Sequence, residues 1–143
     1  MSMTFGALKA DRTKIMSRLG SMEIWQRAIV FVYTTWAPSC HRISTYFDSL
    51  SAQHSETMSS NSVPDLLFFK VDADQEPELA TEWSITAYPT FLWLNANNEV
   101  LGDMIGANRT RLQKIVSTLE KHSRDERLQR EERAYKPRCF SDA

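Results

Sequence analysis

The sequence predicts an α/β domain with a central mixed β-sheet flanked by helices. Three observations carry this. Two short apolar runs rich in β-branched and aromatic residues, 28–33 (AIVFVY) and 66–71 (LLFFKV), read as strands covered on both faces. Apolar residues at helical spacing separate them, so the strands pair in parallel through a helical crossover. Two further runs, 91–94 and 100–105, flank Asn97-Asn98, which tolerate positive φ and predict a hairpin with an antiparallel edge.

Taken in order, segment 9–26 places Ile15, Met16, Leu19, Met22 and Trp25 at three- and four-residue steps, which predicts a helix with one buried face and a weak point at Gly20. After the first strand, Pro38 suits the first turn of a helix whose apolar stripe is Ile43, Tyr46, Phe47 and Leu50. The Ser-rich stretch 55–63 has too little apolar content for core and predicts a surface loop. Asp74 is the expected cap, and Pro77 the first-turn residue, of a short helix after the second strand. From Thr110 a last helix sets Leu112, Ile115, Val116 and Leu119 on one side, and Asn108, although part of a glycosylation sequon, is read as its cap. Trp83 and Trp93 are read as core or near-core packing.

Beyond Leu119 the apolar pattern stops. Residues 120–133 are mostly charged, with Leu128 the only large apolar side chain, and opposite charges four apart support a solvated helix ending near Pro137. The expected division is therefore a domain over 1–120 and a charged C-terminal extension over 121–143, which could dock on a partner.

The chain has 143 residues, enough for one core, and its 42% hydrophobic and 24% charged content matches a soluble globule. A net charge of −1, with no basic face, gives no reason to expect a nucleic-acid partner. No apolar run reaches the length of a membrane span, so no membrane partner is expected. Cys40 and Cys139 are too far apart in sequence for a zinc cluster or a disulfide scaffold, and His41, His54 and His122 show no ligand spacing. No metal and no cofactor are expected. Two lone thiols suit a reducing, intracellular compartment, with the cytoplasm first. Lys9, Arg12, Lys14 and Arg18 against Asp11 give a mitochondrial alternative.

Four motifs in order then carry a resemblance: the strand running into Trp36 and Cys40 (IVFVYTTWAPSC), KVDAD at 70–74, AYPTF around Pro89, and IGA at 105–107. Over residues 13–119 the sequence resembles the thioredoxin superfamily, which implies the thioredoxin fold and a cis bond at Tyr88-Pro89. The family's chemistry uses W-C-x-x-C, in which the first thiol at a helix N-terminus attacks a disulfide and the second resolves the intermediate. Aligned on Trp36, the resemblance puts Ala37 at the attacking position, Cys40 at the resolving one, and Phe31 where active members carry a buried carboxylate. Lys70 resembles that acid's lysine neighbour and would lack its partner.

The expectation is a redox-inactive thioredoxin-like protein with no catalytic residue, acting as a binding or structural subunit of a larger assembly. Its binding surface would be Trp36, Ala37, Pro38, Tyr88 and Pro89, with other proteins of the assembly as partners through that surface or the 121–143 extension. The alternative slides the turn by three residues and makes Cys40, followed by the basic His41 and Arg42, the nucleophile of a monothiol thiol–disulfide oxidoreductase. Cys139 would then be a candidate resolving thiol.

Overall fold

A computed structural model describes residues 8–9, 12–56 and 64–135. In chain order the elements are β1 (Leu8–Lys9), α1 (Arg12–Gly20), β2 (Arg27–Tyr33), α2 (Pro38–Glu56), β3 (Leu66–Asp72), α3 (Pro77–Glu82), β4 (Thr90–Asn95), β5 (Val100–Ile105) and α4 (Arg109–Tyr135). The strands form one sheet in the order β1-β3-β2-β4-β5. β3 runs parallel to β1 and β2, while β4 is antiparallel to both β2 and β5, so the sheet is mixed. Apart from β1, the thioredoxin-like arrangement of strands and helices is the one the sequence predicts.

The alternation of β2 divides the core. Ile29 and Phe31 face one layer with Cys40, Phe47, Phe91, Leu112 and Val116, between the sheet and the pair α2 and α4. Ala28, Val30 and Val32 face the other layer with Ile15, Leu19, Phe69, Leu79 and Leu92, under α1 and α3. A strand buried on both faces needs apolar residues at consecutive positions, which is why β2 reads as an unbroken run.

Local chemistry sets the boundaries. α1 stops at Gly20, so Met22 and Trp25 follow the helix instead of belonging to it. Asp74 does not cap α3. Pro77 is the first helical residue and Glu76 the cap position, whereas the Asp72 carboxylate accepts the Asp74 N–H at 3.0 Å and shapes the preceding turn. Asn108 does cap α4, its side-chain oxygen accepting the Arg111 N–H at 3.0 Å. The hairpin turn places Asn98 at φ 65°.

α4 continues without a break into the charged extension, which folds back on its own domain. Ser123 is fully buried, Arg127 Nε donates to Asp65 Oδ1 at 2.9 Å, and Arg27 donates to Glu126 at 2.9 Å. The Arg127 guanidinium also lies 5.8 Å from the Trp25 ring centre. Residues 55 and 56 of the expected loop 55–63 belong to α2; the rest of that loop, Cys139 and the expected helix end near Pro137 lie outside the described residues.

Candidate functional site

The C-terminal end of β2 delivers the chain into Thr34, Thr35 and Trp36, and α2 begins two residues later at Pro38. Proline suits this place because its missing N–H would have no helical partner and its fixed φ is already helical. The Ala37 carbonyl accepts the N–H groups of Cys40 at 3.1 Å and His41 at 3.4 Å, which closes the first turn. Cys40 is therefore the third residue of α2 and points inward at 2% exposure, with a free thiol. The His41 ring donates its Nε2–H to the Thr35 carbonyl at 2.6 Å and ties the helix start to the loop before it.

The opposing wall is the loop into β4. Tyr88-Pro89 is cis, as the resemblance implied. The Thr90 hydroxyl donates to the Ala87 carbonyl at 2.6 Å, and the Gly106 N–H donates to the Pro89 carbonyl at 2.9 Å. Gly106 has φ 108°, a conformation that side chains resist, so glycine suits this bend between β5 and α4. The Tyr88 and Trp36 rings meet edge to face, with centres 6.3 Å apart.

Of the five expected binding residues, Trp36 is 68% exposed and Pro38 is also open, Tyr88 is half-buried, and Ala37 and Pro89 are buried. The structure brings Trp36 against Tyr88, and packs Tyr88 on the core cluster that holds Ala37 and Cys40. The turn thus presents one exposed indole above two small buried groups, a methyl and a thiol. Among the described residues no cluster of His, Cys, Asp and Glu has the makings of a metal site.

Beneath the turn, Phe31 is fully buried and stacks on Phe91 with ring centres 5.0 Å apart and on Tyr33 at 5.2 Å. Lys70 does not lack a partner, contrary to the sequence reading. Its ammonium donates to Ser44 Oγ at 3.0 Å and to Asp48 at 3.3 Å, while lying 5.9 Å from the centres of the Phe31 and Tyr33 rings. The signal was present in the spacing: Ser44 and Asp48 lie four apart on one face of α2. Tyr33 was not singled out in the sequence. Burial first, then the charges of Asp72 and Asp48, push its phenol above the ordinary value of 10.0. Thr34, beside it, has a buried hydroxyl oxygen with no hydrogen-bond partner among the described residues.

The profile of the thioredoxin family matches residues 22–121. Thioredoxin H4 of Arabidopsis thaliana is 38% identical over 63% of this chain and 70% of its own length. Thioredoxin H9 of the same plant is 34% identical over 59% of this chain, and mitochondrial thioredoxin-3 of Saccharomyces cerevisiae is 31% identical over 65% of it. The chain spans 54% of the first of these two relatives and 65% of the second. Among solved structures, the oxidised form of that yeast thioredoxin superposes with a TM-score of 0.63 at 25% identity, covering 78% of this chain and 94% of its own. Spinach chloroplast thioredoxin f reaches 0.67 at 20% identity, covering 83% and 97%, a likeness of fold.

These relatives are thioredoxins by name, and this overturns the expectation of a redox-inactive structural subunit. That expectation rested on the missing thiol at Ala37. It gave too little weight to the sulfur that remains at Cys40, free and in the core cluster against which Tyr88 packs.

Proposed function

Because the chain belongs to the thioredoxin family, we propose that it is a thiol–disulfide oxidoreductase working through the single sulfur of Cys40. The observation that carries this reading is its relatedness, at 31–38% identity, to proteins named thioredoxins. Cys40, free and in the first turn of α2, supplies the sulfur.

The exchange runs in two balanced steps. The Cys40 thiolate attacks one sulfur of a client disulfide; the client S–S bond breaks, a Cys40–client disulfide forms, and the second client sulfur leaves as a thiolate that takes a proton from water. A small thiol of the reducing compartment then attacks the client sulfur and releases Cys40 as thiolate, leaving the client joined to the small thiol. Two such thiols supply the electrons for full reduction of the client. Intracellular compartments, cytosol or mitochondrion, hold such a pool, and a mitochondrial protein is among the relatives.

Access is the limiting feature. Cys40 reacts only when the first turn of α2 opens, and that turn is held by the Ala37 carbonyl bonds and the His41–Thr35 tie. Such local openings cost less than global unfolding. The exchange is consequently slow compared with that of a thiol at position 37. Trp36 and Tyr88 are the surface a client meets first.

The test is reduction of a peptide–glutathione mixed disulfide by the purified full chain in excess glutathione. The wild type turns over, Cys40→Ser does not, and Cys139→Ser retains activity. Ala37→Cys, which adds a thiol one helical turn away, is faster than wild type. Absence of turnover by the wild type, or a Cys40→Ser variant with the full rate, sinks the proposal.

A further inference from the structure

The face formed by β4, β5 and the start of α4 takes no part in the exchange site. Trp93 pairs in register with Gly102 and lays its indole over it: a Cβ on Gly102 would stand 2.6 Å from Trp93 Cζ2. Between the indole and α4 opens a pocket of about 190 Å³, walled by Trp93, Ile115 and Leu119 and rimmed by Arg111, Lys114 and Thr118. Arg111 and Lys114 are exposed, and among the described residues neither makes an ion pair. Further along the same helix, Lys121, Arg127 and Arg130 all do.

Beside the pocket, β5 is the outermost strand of the sheet, and its outer edge meets no other strand among the described residues. Val100, Leu101 and Ile105 on it are 50%, 47% and 58% exposed. Natural sheets usually blunt such edges with charge, proline or a cover, because unpaired N–H and C=O groups template another strand. Here Asp103 is the only charged residue along six.

We propose that this edge and its pocket dock an extended, acidic segment of a client protein. The segment's backbone adds a strand to β5, one apolar side chain enters the pocket against Trp93 and Ile115, and its carboxylates meet Arg111 and Lys114. Three features select this occupant. The uncompensated positive charge at the rim selects an acidic ligand. The free hydrogen-bonding edge selects a peptide, since a lipid or a small acid offers no ladder to pair with it. A second copy of this chain is disfavoured, because Asp103 is the only charged residue of its β5 and alternates to the sheet face opposite Gly102 and Trp93, so a paired β5 offers Arg111 and Lys114 no carboxylate. The Gly106–Pro89 hydrogen bond joins the end of β5 to the wall of the exchange turn, so a docked segment leads toward Trp36 and Tyr88.

The test uses no sulfur and is therefore independent of the exchange reading. A cysteine-free synthetic peptide of about six residues, the usual strand length, carries glutamate two residues to either side of a central phenylalanine, on the same face, with valine or threonine between them. It is titrated into the isotope-labelled full chain. Saturable amide shifts are expected along 100–105 and at the Trp93 indole, and Arg111→Glu combined with Lys114→Glu should weaken the Kd about tenfold. The charge-reversed variant should keep the wild-type spectrum elsewhere. No shift with the acidic peptide overturns the proposal, as does equal affinity for a version with lysine in place of glutamate, or unchanged affinity in the variant. Displacement of the peptide by phosphatidylserine vesicles, or dimerisation of the chain through β5, overturns it as well.

Discussion

Truncating Arg127 to alanine is the sharpest test of how the C-terminal extension is held. Its guanidinium donates to Asp65 at 2.9 Å, with side-chain exposures of 27% and 13%, and lies 5.8 Å from the Trp25 ring centre. Fully exposed pairs contribute roughly 0.2–1 kcal/mol, whereas removing one partner of a buried pair costs roughly 3–5 kcal/mol. A pair this well covered yet still wetted falls between, at about 1.5 kcal/mol, and the lost cation–π contact adds about 0.5 kcal/mol. Arg127→Ala should therefore cost about 2 kcal/mol, or a Tm lowered by about 6 °C in a domain of this size. Urea unfolding is the assay, with the midpoint moving at constant slope. Arg124→Ala, on the exposed side of the same helix, should stay within about 0.5 kcal/mol of wild type. The hydrogen bond to Asp65, with the charges of Asp65 and Glu131, holds the Arg127 guanidinium above its ordinary range. Its folded value is raised, so the contribution is fully present below that range and lost only above it, and the difference between wild type and Arg127→Ala should not vary across neutral pH. An Arg127→Ala variant as stable as Arg124→Ala would refute the reasoning and leave the hold on the extension to Arg27–Glu126 and the buried Ser123.

Tyr33 gives a second, pH-linked prediction. Its phenol is raised above 10.0 in the folded state, so the stabilisation it brings is complete below pH 10.0 and is lost as pH rises through the higher folded value. Phenolate absorbance should show one tyrosine ionising later than the rest, absent in Tyr33→Phe, which should also lose less stability above that pH; an unchanged titration would refute the assignment. At Gly102 the added methyl of an alanine would meet Trp93 Cζ2 at 2.6 Å and Cε2 at 2.8 Å. The indole can yield into the neighbouring pocket, so Gly102→Ala should cost about 1 kcal/mol, at the low end for overpacking, and shift the tryptophan emission. An unshifted emission would show that the indole does not lie across Gly102.

The parts of the fold that were legible are those in which one residue type has one use. β2 and β3 could be read because strands buried on both faces must be apolar at successive positions, and the hairpin because Asn98 accepts the positive φ its turn requires. The two-residue β1 was not legible, since so short a strand is created by the edge of β3 that it pairs with. Asp74 has a capping residue's chemistry, but the Asp72 carboxylate took its N–H and Pro77 moved the helix start beyond it. The extension looked solvated because its charges have no apolar stripe. Their partners Asp65, Arg27 and Trp25 lie far away in sequence, and no local pattern could announce them. The turn at Trp36 and Cys40 and the Tyr88-Pro89 step stood out in the sequence, but the redox-inactive reading built on Ala37 is overturned by relatives named thioredoxins.

The two departures from the family pattern, at residues 31 and 37, and the retained Lys70 make one consistent arrangement. In the dithiol scheme the buried carboxylate serves the resolving thiol, which must lose its proton inside the protein. A single-sulfur exchange takes its second thiol from solution, already ionised in part, and asks for no internal relay. Phe31 can then be given over wholly to packing, stacked between Phe91 and Tyr33. An ammonium left facing that aromatic cluster without an anion would carry a desolvation cost. Lys70 instead reaches Ser44 and Asp48 on α2, the helix that carries Cys40. That link has a checkable consequence: Phe31→Asp would set a buried carboxylate within reach of Lys70 and compete with Asp48 for it. In the Ala37→Cys background, where an internal resolving step exists, it should speed exchange further; in the wild-type background it should lower stability without raising the rate. A rate gain from Phe31→Asp with Ala37 in place would mean that Cys40 already depends on an internal proton acceptor, and the solution-thiol step would have to be abandoned.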